Sequence, residues 1–137
     1  MAIFLSTSAA RAAEIIQFKS WAGNQLKDQE VIAELHLPTG SITRLPVIIT
    51  QHGSTQDKFF KSGKGKTDAY SEQIIDKGLA QGFAVVAIDA FYPRNTKGSE
   101  KELFPAAQFY ALTLRNLLAS DNRFDPERIF YTGFSYG

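Results

Sequence analysis

The chain has 137 residues, of which 44% are hydrophobic and 12% aromatic, and this composition predicts a globular protein with a buried core. Fifteen lysines and arginines against fourteen aspartates and glutamates leave a net charge of +1, which is too small for long-range attraction to nucleic acid or anionic lipid. The sequence contains no cysteine, and this excludes disulfides, thiolate metal sites and a cysteine nucleophile within these residues.

The N-terminal segment, residues 1–13, contains a short apolar stretch and then Ala10-Arg11-Ala12, a pattern typical of the residues before a signal-peptide cleavage site. Since it lacks a basic start, we interpret it as the remnant of an export signal, with an ordinary frayed terminus as the alternative. The first interpretation predicts a periplasmic or secreted protein and the second a cytoplasmic one. No other apolar run approaches the ~20 residues of a membrane-spanning helix, so we expect no membrane insertion of the mature chain.

Two strands are predicted in the first forty residues, at residues 14–21 and 30–37. The second alternates between apolar positions and a more polar set, which predicts a strand with one buried face. The positions on the predicted buried face are Val31, Ala33, Leu35 and Leu37. His36 falls on the opposite face, and we interpret it as a solvated or edge-strand residue rather than a catalytic base.

Three further strands are predicted from short, continuous apolar runs. They occupy residues 45–50, 83–90 and 128–132, and such runs are typical of strands covered on both faces. Each would run directly into a loop that carries polar or glycine residues.

Two helices are predicted between these strands. The first begins after Asp68 as N-cap and ends with Gly82 as C-cap, and the second carries an apolar stripe over residues 103–118. The order strand, strand, strand, helix, strand, helix, strand predicts an α/β fold with a doubly wound, mostly parallel sheet. Because the last strand lacks the helix that should cover it, we interpret residues 14–137 as the N-terminal portion of a single, incomplete domain.

A candidate nucleophile stands at the end of the sequence, in the Gly-x-Ser-x-Gly pattern of residues 133–137. Directly after a strand, such a pattern predicts a sharp turn that presents the Ser135 hydroxyl at the carboxyl edge of the sheet. Gly133 and Gly137 leave room for this crowded turn. A tight turn without catalytic function is the alternative.

A candidate oxyanion hole follows the strand at residues 45–50, in the segment His52-Gly53-Ser54. Acyl transfer needs two N–H groups for the oxyanion, and one usually follows the nucleophile while the other comes from a loop after an earlier strand. These positions are Tyr136 and Ser54. Because strand ends of a doubly wound sheet converge at one edge, we expect the two turns to meet.

Three segments resemble the α/β-hydrolases, and within them the dienelactone hydrolase group: VIITQHGS, GFAVVAIDAFYPR and DPERIFYTGFSYG. They look like that group's oxyanion strand, its next strand with an Asp-x-Phe-x-Pro-Arg turn, and its nucleophile elbow. The resemblance covers about residues 44–137. It implies the α/β-hydrolase fold, truncated after the nucleophile elbow, and hydrolysis of a small ester or lactone through an acyl-enzyme on Ser135. It also implies that His52 holds the oxyanion turn as a structural residue.

Two departures from the group shape the functional hypothesis. Dienelactone hydrolases use a cysteine nucleophile, whereas this chain has Ser135, and in this fold the acid and the histidine follow the nucleophile in chain order. We therefore expect the full-length gene product to be a serine hydrolase and the 137-residue chain to be an inactive fragment. An exported peptidase or acyltransferase on the same fold, and a binding protein without catalysis, are the alternatives.

Other patterns carry simpler interpretations. The stretch Gly63-Lys64-Gly65-Lys66-Thr67 resembles the end of a phosphate-binding loop, but Phe60 replaces the first required glycine, so a solvated loop is expected. Asp89 precedes the serine, and we interpret it as a strand-end residue that hydrogen-bonds local backbone rather than as the catalytic acid. No acidic or histidine cluster has ligand spacing, so we expect no metal and no cofactor.

Overall fold

The structure is a computed structural model that describes residues 13–20, 29–40, 42–52, 69–89 and 100–134. Within these ranges, the side chains of residues 29, 69 and 100–108 are outside the description. The predicted export-signal remnant therefore lies outside the described residues, as does the predicted N-cap Asp68. No helix of the described residues is long and apolar enough to cross a membrane.

Five strands form one sheet in the order β1-β2-β4-β3-β5, and two helices accompany it. The strands are β1 (Glu14–Ser20), β2 (Gln29–His36), β3 (Leu45–Gln51), β4 (Ala84–Asp89) and β5 (Phe124–Gly133), and the helices are α1 (Ala69–Ala80) and α2 (Glu100–Ala119). Strand β3 pairs in parallel with β4 and β5, whereas β2 pairs antiparallel with β1 and β4. Only β2 of the described strands is therefore reversed, which confirms the predicted mostly parallel sheet.

The helices lie on opposite faces of the sheet. Val85 and Ala87 of β4 pack with Ile75 of α1 in a small apolar cluster. Val86 and Ile88 belong instead to a larger cluster on the other face, with α2 residues that include Tyr110 and Leu114. Since successive strand side chains point to opposite faces, this division confirms the doubly wound arrangement. It also places the larger core between α2 and the sheet.

The end of α1 confirms the predicted C-cap. Gly82 has a φ of +82°, the left-handed conformation that glycine adopts at low cost. The Gly82 N–H donates to the Leu79 carbonyl at 3.0 Å, and the Phe83 N–H donates to the Gly78 carbonyl at 2.9 Å. This hydrogen-bond pair is the Schellman motif, which stops the helix and turns the chain into β4.

The prediction of one buried face for β2 is wrong. Val31, Ala33 and Leu35 are buried as predicted, but Ile32 and Glu34 on the opposite face are also buried, at 9% and 3% exposure. The reason is that β2 lies inside the sheet, between β1 and β4, and both of its faces are covered.

His36 is accordingly neither an edge-strand nor a solvated residue. Its side chain is 18% exposed, and its Nε2 lies 2.8 Å from Oε1 of Glu34. The two polar side chains of this face therefore pair with each other, two positions apart along β2, rather than with solvent.

The apolar composition of the final strand predicts burial, whereas the element order predicts that this strand lacks its covering helix, and the exposure of β5 in the described sheet agrees with the second prediction. Strand β5 begins four residues earlier than predicted and forms one edge of the described sheet. Phe130 and Tyr131 are 52% and 47% exposed. Its apolar composition indicated burial on both faces, but within the described residues β5 has one paired neighbour, β3, and packs against α2.

The segment Asp125-Pro126-Glu127-Arg128 ties the start of β5 to the bend before β3. One Asp125 carboxylate oxygen accepts a hydrogen bond from the Glu127 N–H at 3.1 Å, and the other accepts one from Arg128 Nε at 2.8 Å. Arg44, which has a φ of +54°, approaches Asp125 at 3.3 Å, and its carbonyl accepts a hydrogen bond from Arg128. These contacts give the DPER part of the family-like motif a structural role.

Because of these contacts of Asp125, we expect the fold to lose stability in acid. Hydrogen bonds from Arg128 and from the Glu127 N–H hold the pKa of Asp125 below its usual value. A lowered folded-state pKa means that the carboxylate stabilises the fold above the ordinary pKa of about 4, and that this contribution is lost as the pH falls further. We expect Asp125→Asn to lower the free energy of unfolding at pH 7, and the difference from the parent to shrink between pH 5 and pH 2.

Urea unfolding at several pH values measures this effect. Glu127→Gln, at an exposed carboxylate two residues away, is the control and should change the free energy of unfolding by less than about 0.5 kcal/mol. A constant difference between Asp125→Asn and its parent over this pH range would contradict the assignment.

Candidate active site

The carboxyl ends of β3, β4 and β5 meet at one edge of the sheet. Gln51, the last residue of β3, is in register with Ile88 of β4 and with Gly133 of β5. The Phe134 N–H donates to the Gln51 carbonyl at 3.3 Å, so the pairing extends one residue beyond β5. The two segments that lead into the predicted oxyanion loop and the predicted nucleophile turn are therefore direct neighbours.

His52 and Asp89 form a buried polar contact at this edge. Both side chains are fully buried, and His52 Nε2 lies 3.8 Å from Oδ1 of Asp89. This separation is too long for a hydrogen bond, but it allows electrostatic attraction in a buried environment. The contact joins the ends of β3 and β4.

The sequence predicts that Asp89 hydrogen-bonds its local backbone, but it does not predict the contact with His52. The two residues are 37 positions apart in the sequence, and they meet because β3 and β4 are adjacent in the sheet. Each follows a buried strand, and that shared position is the signal that indicates their proximity. The pairing itself depends on strand order.

The predicted site residues divide into two groups. His52 and Gly133 are described, and they stand at neighbouring strand ends. Gly53, Ser54, Ser135, Tyr136 and Gly137 lie outside the described residues, as does the loop at residues 63–67. The nucleophile and the two oxyanion N–H groups therefore stay predictions. Among the described residues, no group of histidine, aspartate and glutamate side chains could hold a metal ion.

Tyr70, in the first turn of α1, contacts the end of β5, and the sequence analysis did not single it out for the site. Its hydroxyl lies 2.6 Å from Oγ1 of Thr132 and 3.5 Å from the Gly133 carbonyl oxygen. Its ring packs on Phe134, with the centroids 5.4 Å apart. The pKa of the neighbouring Tyr131 is raised, mainly by its burial and to a smaller extent by the electrostatic effect of Tyr70. In the sequence, Tyr70 is one member of a helical stripe, and no local pattern marks this contact.

The buried contact between His52 and Asp89 should contribute measurably to the stability of the fold. We expect Asp89→Asn to lower the free energy of unfolding by about 1–2 kcal/mol, because it replaces one carboxylate oxygen of a fully buried side chain, which contacts His52, by an amide group that fits the same surroundings less well. Urea denaturation measures the change. Asp76→Asn, at an exposed position of α1, should change it by less than about 0.5 kcal/mol. Equal effects of the two variants would show that the buried contact contributes nothing.

Comparison with known proteins gives matches among solved structures. Est22, an esterase, matches at 19% identity and a TM-score of 0.64 over 92% of this chain. The thermostable carboxylesterase EstE1, from a metagenomic library, matches at 18% identity and 0.61 over 94% of it. An esterase from Pyrobaculum calidifontis matches at 20% and 0.59 over 91%. The chain has the α/β-hydrolase fold.

The likeness extends over only part of the length of these esterases. The chain spans 35%, 38% and 36% of the length of Est22, EstE1 and the Pyrobaculum esterase. At these identities the α/β-hydrolase likeness establishes architecture, and the chemistry depends on the site. Neither sequence models of protein families nor curated protein sequences give a match to the chain.

Proposed function

We propose that the full-length gene product is a serine hydrolase that cleaves a small carboxylic ester or lactone through an acyl-enzyme on Ser135. The observation that carries the proposal is the hydrogen bond between Phe134 and Gln51. It makes the residue before the predicted nucleophile a neighbour of the strand end that leads into His52-Gly53-Ser54. The esterase function of the three similar structures supports the same chemistry.

In the proposed reaction, the Ser135 oxygen attacks the carbonyl carbon of the ester or lactone. The negative charge that develops on the carbonyl oxygen is stabilised by the N–H groups of Ser54 and Tyr136. The C–O bond to the alcohol then breaks, and the leaving oxygen takes up the proton that the base removed from Ser135. In the second half-reaction, water gives a proton to the base and attacks the acyl carbon; the bond to the Ser135 oxygen then breaks, the acid is released, and Ser135 recovers its proton from the base.

The general base is assigned to the part of the gene product beyond Gly137. The His52 side chain is fully buried, and His36 is in register with Val85 near the start of β4, at the opposite edge of the sheet from the candidate site, so neither imidazole is placed to reach a substrate. In this fold the acid and the histidine follow the nucleophile. We therefore propose that the 137-residue chain alone has negligible turnover, because a serine without a base is a weak nucleophile.

Within the α/β-hydrolases, we propose the dienelactone hydrolase group as the subgroup, because three segments of this chain resemble it. A peptidase or an acyltransferase on the same fold would use the same serine, and a binding protein would not. A fluorophosphonate probe separates the serine enzymes from the binding protein, because it reacts only with an activated serine.

The test is to label the full-length gene product with the probe and to map the adduct by mass spectrometry. We expect the adduct on the tryptic peptide that begins at Ile129 and contains Ser135. Ser135→Ala should abolish labelling, whereas Ser120→Ala, at an exposed serine after α2, should leave it unchanged. No labelling of the parent, or labelling that persists in Ser135→Ala, would overturn the proposal.

A further inference from the structure

Tyr70 contacts the residues on both sides of Gly133. Its hydroxyl meets Thr132 Oγ1 at 2.6 Å, and its ring packs on Phe134 at 5.4 Å. The hydroxyl also lies 3.5 Å from the Gly133 carbonyl oxygen, the outer limit of a hydrogen bond. A single side chain of α1 thus bridges the last three described residues before Ser135.

The position of Tyr70 sets it apart from the residues that dock the helix. Among the described residues, α1 packs mainly on β4, through the cluster around Ile75, and to a smaller extent on β3. Tyr70 reaches instead across to β5, which is one of the two outer strands of the described sheet. Phe134 is 56% exposed, so the described core does little to fix it. The contacts from Tyr70 are therefore well placed to define how the chain leaves β5.

We propose that Tyr70 is a positioning residue for the nucleophile turn, holding Thr132 and Phe134 so that Ser135 is presented in a reactive geometry. The inference rests on the proposed function. Nucleophilic attack requires the reacting atoms to be aligned at about 3–3.5 Å, and small displacements of the nucleophile cost large factors in rate. Tyr70 does not contact the substrate in this proposal. It acts through the backbone and the side chains on either side of Gly133.

Removal of either hydroxyl tests the inference. Tyr70→Phe keeps the ring on Phe134 and removes the hydroxyl, and Thr132→Val removes the partner hydroxyl with little change of shape. In the full-length gene product, we expect each single variant to lower kcat for p-nitrophenyl acetate about tenfold. The rate of fluorophosphonate labelling of Ser135 should fall by a similar factor, and KM should change less than about twofold, because the substrate pocket is not altered.

The double variant Tyr70→Phe/Thr132→Val tests whether the two hydroxyls act as a unit. We expect it to be no slower than the slower single variant, since the second change removes a partner that has already been lost. Independent effects would multiply to about a hundredfold, and that result would overturn the pairing.

Tyr110→Phe is the matched control. Tyr110 is buried on the α2 side of the sheet, and its hydroxyl has no hydrogen-bond partner among the described residues. Removal of that hydroxyl should leave kcat and the labelling rate unchanged. Thermal melts of all variants give the folded fraction under assay conditions.

The outcomes separate the inference from the proposed function. If the parent is labelled on Ser135 but Tyr70→Phe keeps full kcat, the positioning role is wrong and the hydrolase stands. A loss of kcat that disappears on correction for the folded fraction also overturns the positioning role, since it reflects stability alone. If the parent is not labelled, the proposed function fails, and the positioning role fails with it.

Discussion

Replacement of Ser135 by alanine should lower kcat for hydrolysis of p-nitrophenyl acetate by the full-length gene product by at least about 10³-fold. The acyl-enzyme cannot form without the hydroxyl, so only binding and the oxyanion N–H groups would remain to promote direct attack by water. KM and the melting temperature should change little, because the substitution removes a single oxygen atom. Steady-state kinetics with purified variants measure the effect.

Two further variants make this result specific to Ser135. Ser120→Ala should keep the parental kcat, because Ser120 follows the C-terminal end of α2 and its hydroxyl donates a hydrogen bond to the Asn116 carbonyl. His52→Gln should lower the free energy of unfolding and retain turnover in the folded protein, as expected for a residue that holds the strand end. If His52→Gln abolishes turnover in folded protein as completely as Ser135→Ala does, His52 is the base and our assignment of the base beyond Gly137 is wrong.

Replacement of Gly78 by leucine should destabilise the fold by about 3 kcal/mol. Gly78 lies in the middle of α1, and a Cβ atom at this position would lie 2.6 Å from Cγ2 of Val85 and 3.4 Å from Cδ1 of Ile48. Val85 is fully buried and β-branched, so it cannot rotate out of the way at low cost. Leucine is a better helix former than glycine by about 0.8 kcal/mol, which offsets a minor part of the clash.

Lys77→Leu is the matched control for Gly78→Leu. It introduces the same side chain one residue earlier in α1, at an exposed position, and should change the free energy of unfolding by less than about 0.5 kcal/mol. Urea denaturation compares the two variants. Equal stability of Gly78→Leu and Lys77→Leu would show that α1 can move away from β4 freely, contrary to the close packing described above.

The general architecture follows from local sequence patterns. Short apolar runs predicted β3 and β4, helical spacing predicted α1 and α2, and Gly82 marked the end of α1. These features are local because a strand or a helix needs a repeating pattern of burial, and a C-cap needs a residue that tolerates positive φ. The alternation of elements was then sufficient to predict a doubly wound sheet.

Burial was predicted less well than secondary structure. Glu34 and His36 have the polarity of an outward-facing set, yet β2 lies inside the sheet and the two side chains pair with each other. Phe130 and Tyr131 have the composition of a covered strand, yet β5 forms an edge of the described sheet. In both cases the exposure of a residue depends on which element lies beside its strand, and composition carries no information about neighbours.

In the candidate site, too, some features follow from local sequence and others depend on which elements lie side by side. The Gly-x-Ser-x-Gly pattern and the His52-Gly53-Ser54 segment are identifiable in the sequence because each follows an apolar run that ends abruptly. The contact of His52 with Asp89 and the bridge from Tyr70 to Thr132 are not identifiable there, since they join residues 37 and 62 positions apart.

The sequence by itself therefore determined the element order, the helix cap and the two segments that we propose to form the reactive site. The tertiary structure alone decided that β3 lies between β4 and β5. This arrangement brings Gln51 beside Phe134, His52 beside Asp89, and α1 close enough to β4 to require Gly78. The physical reason is that the repeating apolar pattern of a helix or strand is carried by residues close together in the sequence. Strand order results instead from burying the apolar surface of all the elements at once.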